Sequence, residues 1–279
     1  MHSMQRPPMP RIDRRHPLAN GLVFAGLGGG ASTNMYADAS GYNNFGTLTG
    51  MDPATDWVWS DYLQRWVLDF DGSDDAVIKA APSFTATFPF SLACWAKIRS
   101  AYRSAANGKT YFIQASLYGG SAESIFSLAT DYSTSADKVY YFQANAVRLS
   151  TNTFVVDAWQ HFAISFDSST QVRLWINGTP GVIDQPIATF VVGAGSVYLG
   201  ALNGTLSPCP CTLADPVMYK GGFSTSLVQI LANPDPMLGG LILPPKRKLW
   251  TVGGGGAPAA KYWLWARQHS SQVIGGGVS

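Results

Sequence analysis

Apolar and polar side chains alternate along much of the chain between residues 21 and 239. In the run Phe90 to Ile98 (FSLACWAKI), large apolar residues alternate with small or polar ones. A period of two puts one set of side chains on each face of a strand. Residues 111–117 and 139–143 repeat the pattern, and Trp159 to Phe166 (WQHFAISF) does so again. Val172 to Ile176 leads into Asn177-Gly178 and then a second extended run. An Asn-Gly pair between alternating runs predicts a hairpin, because both turn residues need positive φ. Val197–Gly200 and Leu213–Tyr219 add two further strands. Only residues 224–233 read as a helix, with Ser224 or Thr225 as its cap and Pro234 as its stop. Regularly spaced strands with turn signals between them predict a sandwich or barrel.

Composition agrees with this picture. The chain is 46% hydrophobic over 279 residues, enough for a sizeable core. One all-β sandwich commonly reaches that length. Aromatic residues at 13% suit broad pleated surfaces, while 29 glycines and 17 prolines supply turns.

Charge divides the chain. Residues 1–20 carry four basic residues and one acid, and residues 240–279 carry five basic residues and no acid. The remaining 21–239 hold ten basic and sixteen acidic residues. The expected organisation is a basic N-terminal arm (1–20), a sandwich (21–239) and a Pro/Gly-rich basic C-terminal arm (240–279). Such arms are either solvated tails or docking segments for acidic surfaces. Their basic clusters are small for nucleic acid. No apolar run marks a signal peptide or a membrane span. Cys94, Cys209 and Cys211 do not make a disulfide framework, and the Cys209-Pro-Cys211 turn lacks the further ligands zinc requires. A reducing compartment is expected.

Candidate catalytic chemistry is sparse. Glycoside hydrolysis needs two carboxylates, and Glu123 is the single glutamate. The pairs Asp69/Asp71 and Asp74/Asp75 sit where a strand enters a turn, a place where Asp caps backbone. Gly26 to Ala31 has dinucleotide-loop spacing, but no helix pattern follows to hold a pyrophosphate. His161 lies mid-strand and reads as a packed histidine. The expectation is a chain without enzymatic activity. Trp57, Trp59 and Trp66 form either a sugar-stacking platform or part of the inter-sheet core.

Six segments in order resemble the laminin-G-like jelly-roll domains of the concanavalin superfamily. They are Gly21–Phe24 with Asp38–Thr47 (DASGYNNFGT), Phe70–Val77 (FDGSDDAV), Phe90–Lys97, Trp159–Asp167, Val172–Gly178 and Leu213–Tyr219 with its short helix. The resemblance covers about 21–237. It implies an antiparallel two-sheet jelly-roll sandwich with one short C-terminal helix and extended terminal arms. It also implies a structural calcium, with Asp215 as carboxylate ligand and the backbone of Gly72 and the loop around Asp38 supplying carbonyls. The alternative for Asp215 is a turn cap before Pro216.

Leu231–Met237 and Leu243–Trp250 resemble the tails of laminin-G-like proteins of tailed bacteriophages. The implied role is a virion component assembled in the host cytoplasm: a capsid decoration or cement protein, homo-oligomeric or part of a large assembly. Its arms would bind major capsid or other virion subunits. Arg11, Arg14, Arg15, Lys246, Arg247 and Lys248 would meet carboxylates, and Trp250, Trp263 and Trp265 would be buried anchors. The alternative is a carbohydrate-binding module of a tail fibre or other host-recognition appendage, with a glycan as partner.

Overall fold

The computed structural model describes residues 10–27, 34–104, 109–116, 125–132, 137–143, 146–168, 170–183, 195–201, 207–235 and 238–243. In chain order its strands are β1 (Arg11–Ile12), β2 (Leu22–Ala25), β3 (Met35–Tyr36), β4 (Gly46–Thr49), β5 (Trp57–Ser60) and β6 (Arg65–Phe70). Next come β7 (Ala76–Ala80), β8 (Phe90–Ile98), β9 (Lys109–Ser116), β10 (Ile125–Asp131), β11 (Lys138–Gln143) and β12 (Ala146–Thr153). The last are β13 (Trp159–Ser168), β14 (Gln171–Ile176), β15 (Thr179–Ile183), β16 (Ser196–Leu199), β17 (Cys211–Tyr219), helix α1 (Thr225–Leu231) and β18 (Ile242–Leu243).

Two antiparallel sheets face each other, as the alternation predicts. One runs β12-β11-β10-β9-β16-β7-β4-β3, and the other β15-β14-β13-β8-β17-β6-β5 with β2 beside β17. The period-two runs explain the layering. Phe90, Leu92, Cys94, Ala96 and Ile98 of β8 point into the inter-sheet core, joined by Phe162, Ile164 and Phe166 of β13. The opposite faces of the same strands hold Ala93 and Ala163, small enough for Leu18, Phe223, Val228 and Leu231 to lie over them. The outer face of the second sheet is therefore covered too.

The hairpin at Asn177-Gly178 forms with φ of 51° and 74°, so both turn residues sit in the left-handed region. The Asn177 side chain also accepts the His161 N–H at 2.8 Å. Helix α1 starts at Ser224, whose hydroxyl accepts the Leu227 N–H.

The ends of the sandwich differ from expectation. The stretch 1–20 is not wholly an arm: β1 pairs with β18, and Ile12, Leu18 and Ala19 are buried. These three apolar side chains bury area that a solvated arm would expose. The expected C-terminal arm likewise begins inside the fold, since Leu241 is buried and Ile242–Leu243 complete the small sheet.

Candidate functional site

The site is built on the hairpin of β5 and β6. Trp57 and Trp59 lie two apart on one face of β5, and Trp59 is paired with Trp66 across the ladder. Trp57 faces the core, 7% exposed, with its ring stacked on Tyr36 of β3 at 5.7 Å. Two residues on, about 7 Å along the strand, Trp59 stands 49% exposed. Trp66 meets it edge-on, with centroids 5.9 Å apart at 76°. That contact fixes the angle of the exposed indole. Of the three tryptophans considered together in the sequence, the structure thus assigns Trp57 to the core and leaves Trp59, braced by Trp66, at the surface. β5 is an edge strand, so one flank of the platform is open.

A cluster of carboxylates lies in the loop that leaves β6. Ligand oxygens of Asp71, Asp74 and Asp75 all fall within 4.8 Å of one another. Asp71 and Asp74 are exposed, while Asp75 is 4% exposed. Burial pushes the Asp75 carboxyl up to about 6, with the Asp71, Asp56 and Asp74 carboxylates adding to the shift. The Asp71 N–H donates to Asp75 at 2.8 Å and opposes it. These are the described residues with the donor set for a divalent cation, although calcium needs six to eight oxygens.

Asp75 therefore holds its proton more tightly folded than unfolded. Its penalty is full above about pH 6 and is relieved as pH falls towards the unfolded value. Asp75→Asn, which keeps an acceptor for Asp71, is expected to stabilise by about 1 kcal/mol at pH 8 after screening, and not at pH 4. Urea midpoints at the two pH values check this; equal effects at both would refute it.

The calcium expected from the family resemblance does not match the geometry. Asp38 is buried, and its oxygens accept from Ala25, Ser40 and Asn44 N–H groups and the Ser40 hydroxyl. Asp215 is buried in an ion pair with Arg65. Gly72 lies against Pro210, just before β17 begins, whereas Asp215 sits in the middle of that strand. Each carboxylate is already engaged by groups of the chain itself. The carboxylates that do converge are in Gly72's own loop. The Asp doublets signalled them, but Asp at a strand end looks the same whether it caps or ligates.

The remaining sequence candidates fall as follows. Asp69 is held by Arg99 and accepts the Thr212 hydroxyl at 2.7 Å. His161 is buried against Trp95, and burial lowers its imidazole to about 3, keeping it neutral. Arg15 pairs with Asp13 of its own chain, Arg14 lies over Gly41, and Arg11 is exposed on β1. Glu123, Lys246, Arg247, Lys248, Trp250, Trp263 and Trp265 lie outside the described residues. Among the described residues, no helix is long and apolar enough to cross a membrane.

The family model for the concanavalin A-like lectin/glucanases superfamily (laminin-G type) matches residues 70–229. No curated protein matches the chain. Among solved structures, Trypanosoma rangeli sialidase in complex with sialic acid is similar at 14% identity and a TM-score of 0.57, covering 79% of this chain and 34% of that one. The same sialidase with the inhibitor DANA is similar at 13% identity and a TM-score of 0.53, covering 76% and 32%. A tryptophan-to-alanine mutant of HCR/D is similar at 12% identity and 0.55, covering 78% and 53%. The chain spans about a third of the sialidases it matches. At such identity the likeness is one of fold.

Two expectations are corrected by these findings. The capsid-decoration role is not supported: the similar structures named above are sialidases and HCR/D. The expectation of a chain without enzymatic activity also falls, because the fold is shared with sialidases, which are enzymes. Scarcity of glutamate was a weak ground for it.

Proposed function

Because the chain belongs to the concanavalin A-like lectin/glucanases superfamily, we propose that it is a carbohydrate-binding module whose contact platform is the indole of Trp59. The carrying observation is that exposed indole, held edge-on by Trp66 at 5.9 Å on an open edge strand. An exposed indole held at a fixed angle offers a rigid apolar face with a polar edge. Sugar rings present axial C–H groups to such a face and hydroxyls to the polar groups around it. Fixing the indole beforehand lowers the ordering cost of binding. Fold-level likeness to a sialidase solved with sialic acid supports the reading only as analogy.

The test is a glycan array with the full chain, followed by calorimetry on the best binder. Trp59→Ala is expected to weaken that binder about 30-fold, the loss of roughly 2 kcal/mol typical of an aromatic anchor. Its melting temperature should stay within about 2 °C of wild type, since the side chain is half exposed. Unchanged affinity in Trp59→Ala would remove the platform.

A further inference from the structure

We infer that the Trp59 platform selects neutral or cationic sugars and rejects anionic ones; this rests on the carbohydrate-binding reading above. The ground is the charge around the platform. Residues 50–75, which span β5, β6 and their loops, contain seven aspartates, and their single cation is Arg65. Arg65 is tied to Asp215 and to the Pro234 and Asp235 carbonyls, so it has no spare donor face for a ligand. Arg99, from outside the segment, is paired with Asp69. The remaining acids, among them the exposed Asp52, Asp61, Asp71 and Asp74, have no basic partner in the segment.

Position makes this charge matter. Asp61 lies two residues beyond Trp59 and Asp56 three before it, about 7 and 10 Å along an extended chain. Asp61 is within the Debye length of about 8–10 Å at ordinary ionic strength, and Asp56 lies at its edge; both fall well inside it at low salt. A sugar lying on the Trp59 indole is therefore flanked by carboxylates on both sides along β5. A ligand carboxylate brought there meets these two negative charges through water, worth at most about fivefold in affinity at low salt. A neutral sugar is indifferent to these charges, and an amino sugar is attracted by them.

The experiment uses the full chain on an array of matched glycans, each printed in sialylated and desialylated form, in about 20 mM and about 0.5 M salt. Expected is up to about fivefold tighter binding of the desialylated member at low salt, with the gap closing to less than about twofold at high salt. Asp61→Asn should narrow the low-salt gap about twofold and leave the desialylated member bound as before. Equal or tighter binding of the sialylated members at low salt, still lost in Trp59→Ala, overturns the charge selection and leaves the platform standing. Binding to no glycan in either form overturns both.

Discussion

Asp38→Ala is expected to cost about 5 kcal/mol, much of the stability of an ordinary domain. One oxygen of the wild-type carboxylate accepts the Ala25 and Ser40 N–H groups at 2.9 Å each. The other accepts the Ser40 hydroxyl at 2.7 Å and the Asn44 N–H at 2.9 Å. Alanine leaves three backbone donors without acceptors at a place where Asp38 is 2% exposed. Water cannot replace them cheaply there. The loss also frees β2, whose Val23 carbonyl accepts from Asn44 of the same turn. Asp38→Asn should cost about half as much, because its amide nitrogen would confront the Asn44 N–H. Chemical denaturation with and without chelator gives the comparison. A penalty under about 1 kcal/mol, or one that appears only when calcium is present, would contradict the role of Asp38 as a turn hub.

Arg65→Ala is expected to cost about 3–5 kcal/mol at pH 8, the usual result of orphaning one member of a buried ion pair. The Asp215 side chain is 4% exposed and that of Arg65 10%. Burial raises the Asp215 carboxyl, and the Arg65 guanidinium draws it back down. Without Arg65 the carboxyl rises further, so the variant's penalty should shrink as pH falls and Asp215 takes up a proton. Asp215→Asn suits the backbone, whose φ of 48° here tolerates Asp or Asn. A double variant, Arg65→Met with Asp215→Asn, should recover at least about 2 kcal/mol relative to the sum of the single losses. Additive losses in that cycle, or a penalty for Arg65→Ala independent of pH, would refute the pairing.

These two aspartates show what could be read from the chain alone. The alternation in β8 and β13, the Asn177-Gly178 turn and the Ser224 cap depend on neighbours in sequence, and each forms as its residues predict. The turn carrying Asp38 was also identifiable, from its DASGYNN run. Its purpose was not, because an Asp that accepts N–H groups and one that ligates calcium occupy the same kind of turn. Asp215 was harder. Its partner lies 150 residues away, and no local pattern joins them. Trp59 and Trp57 are alike in spacing and type. Only the end of the facing layer, a property of the assembled sheets, separates a core residue from an exposed one.

The small sheet of β1 and β18 has a mechanical consequence. Arg11 faces Leu243 and Ile12 faces Ile242, so the chain enters and leaves at the same end of a two-rung ladder. Tension applied through the flanking chain pulls those rungs open one after another, as a zip is drawn. It does not shear them together. The clasp is thus the fuse of the fold: it yields at low force, and the load reaches β2 and β17 only after it has opened.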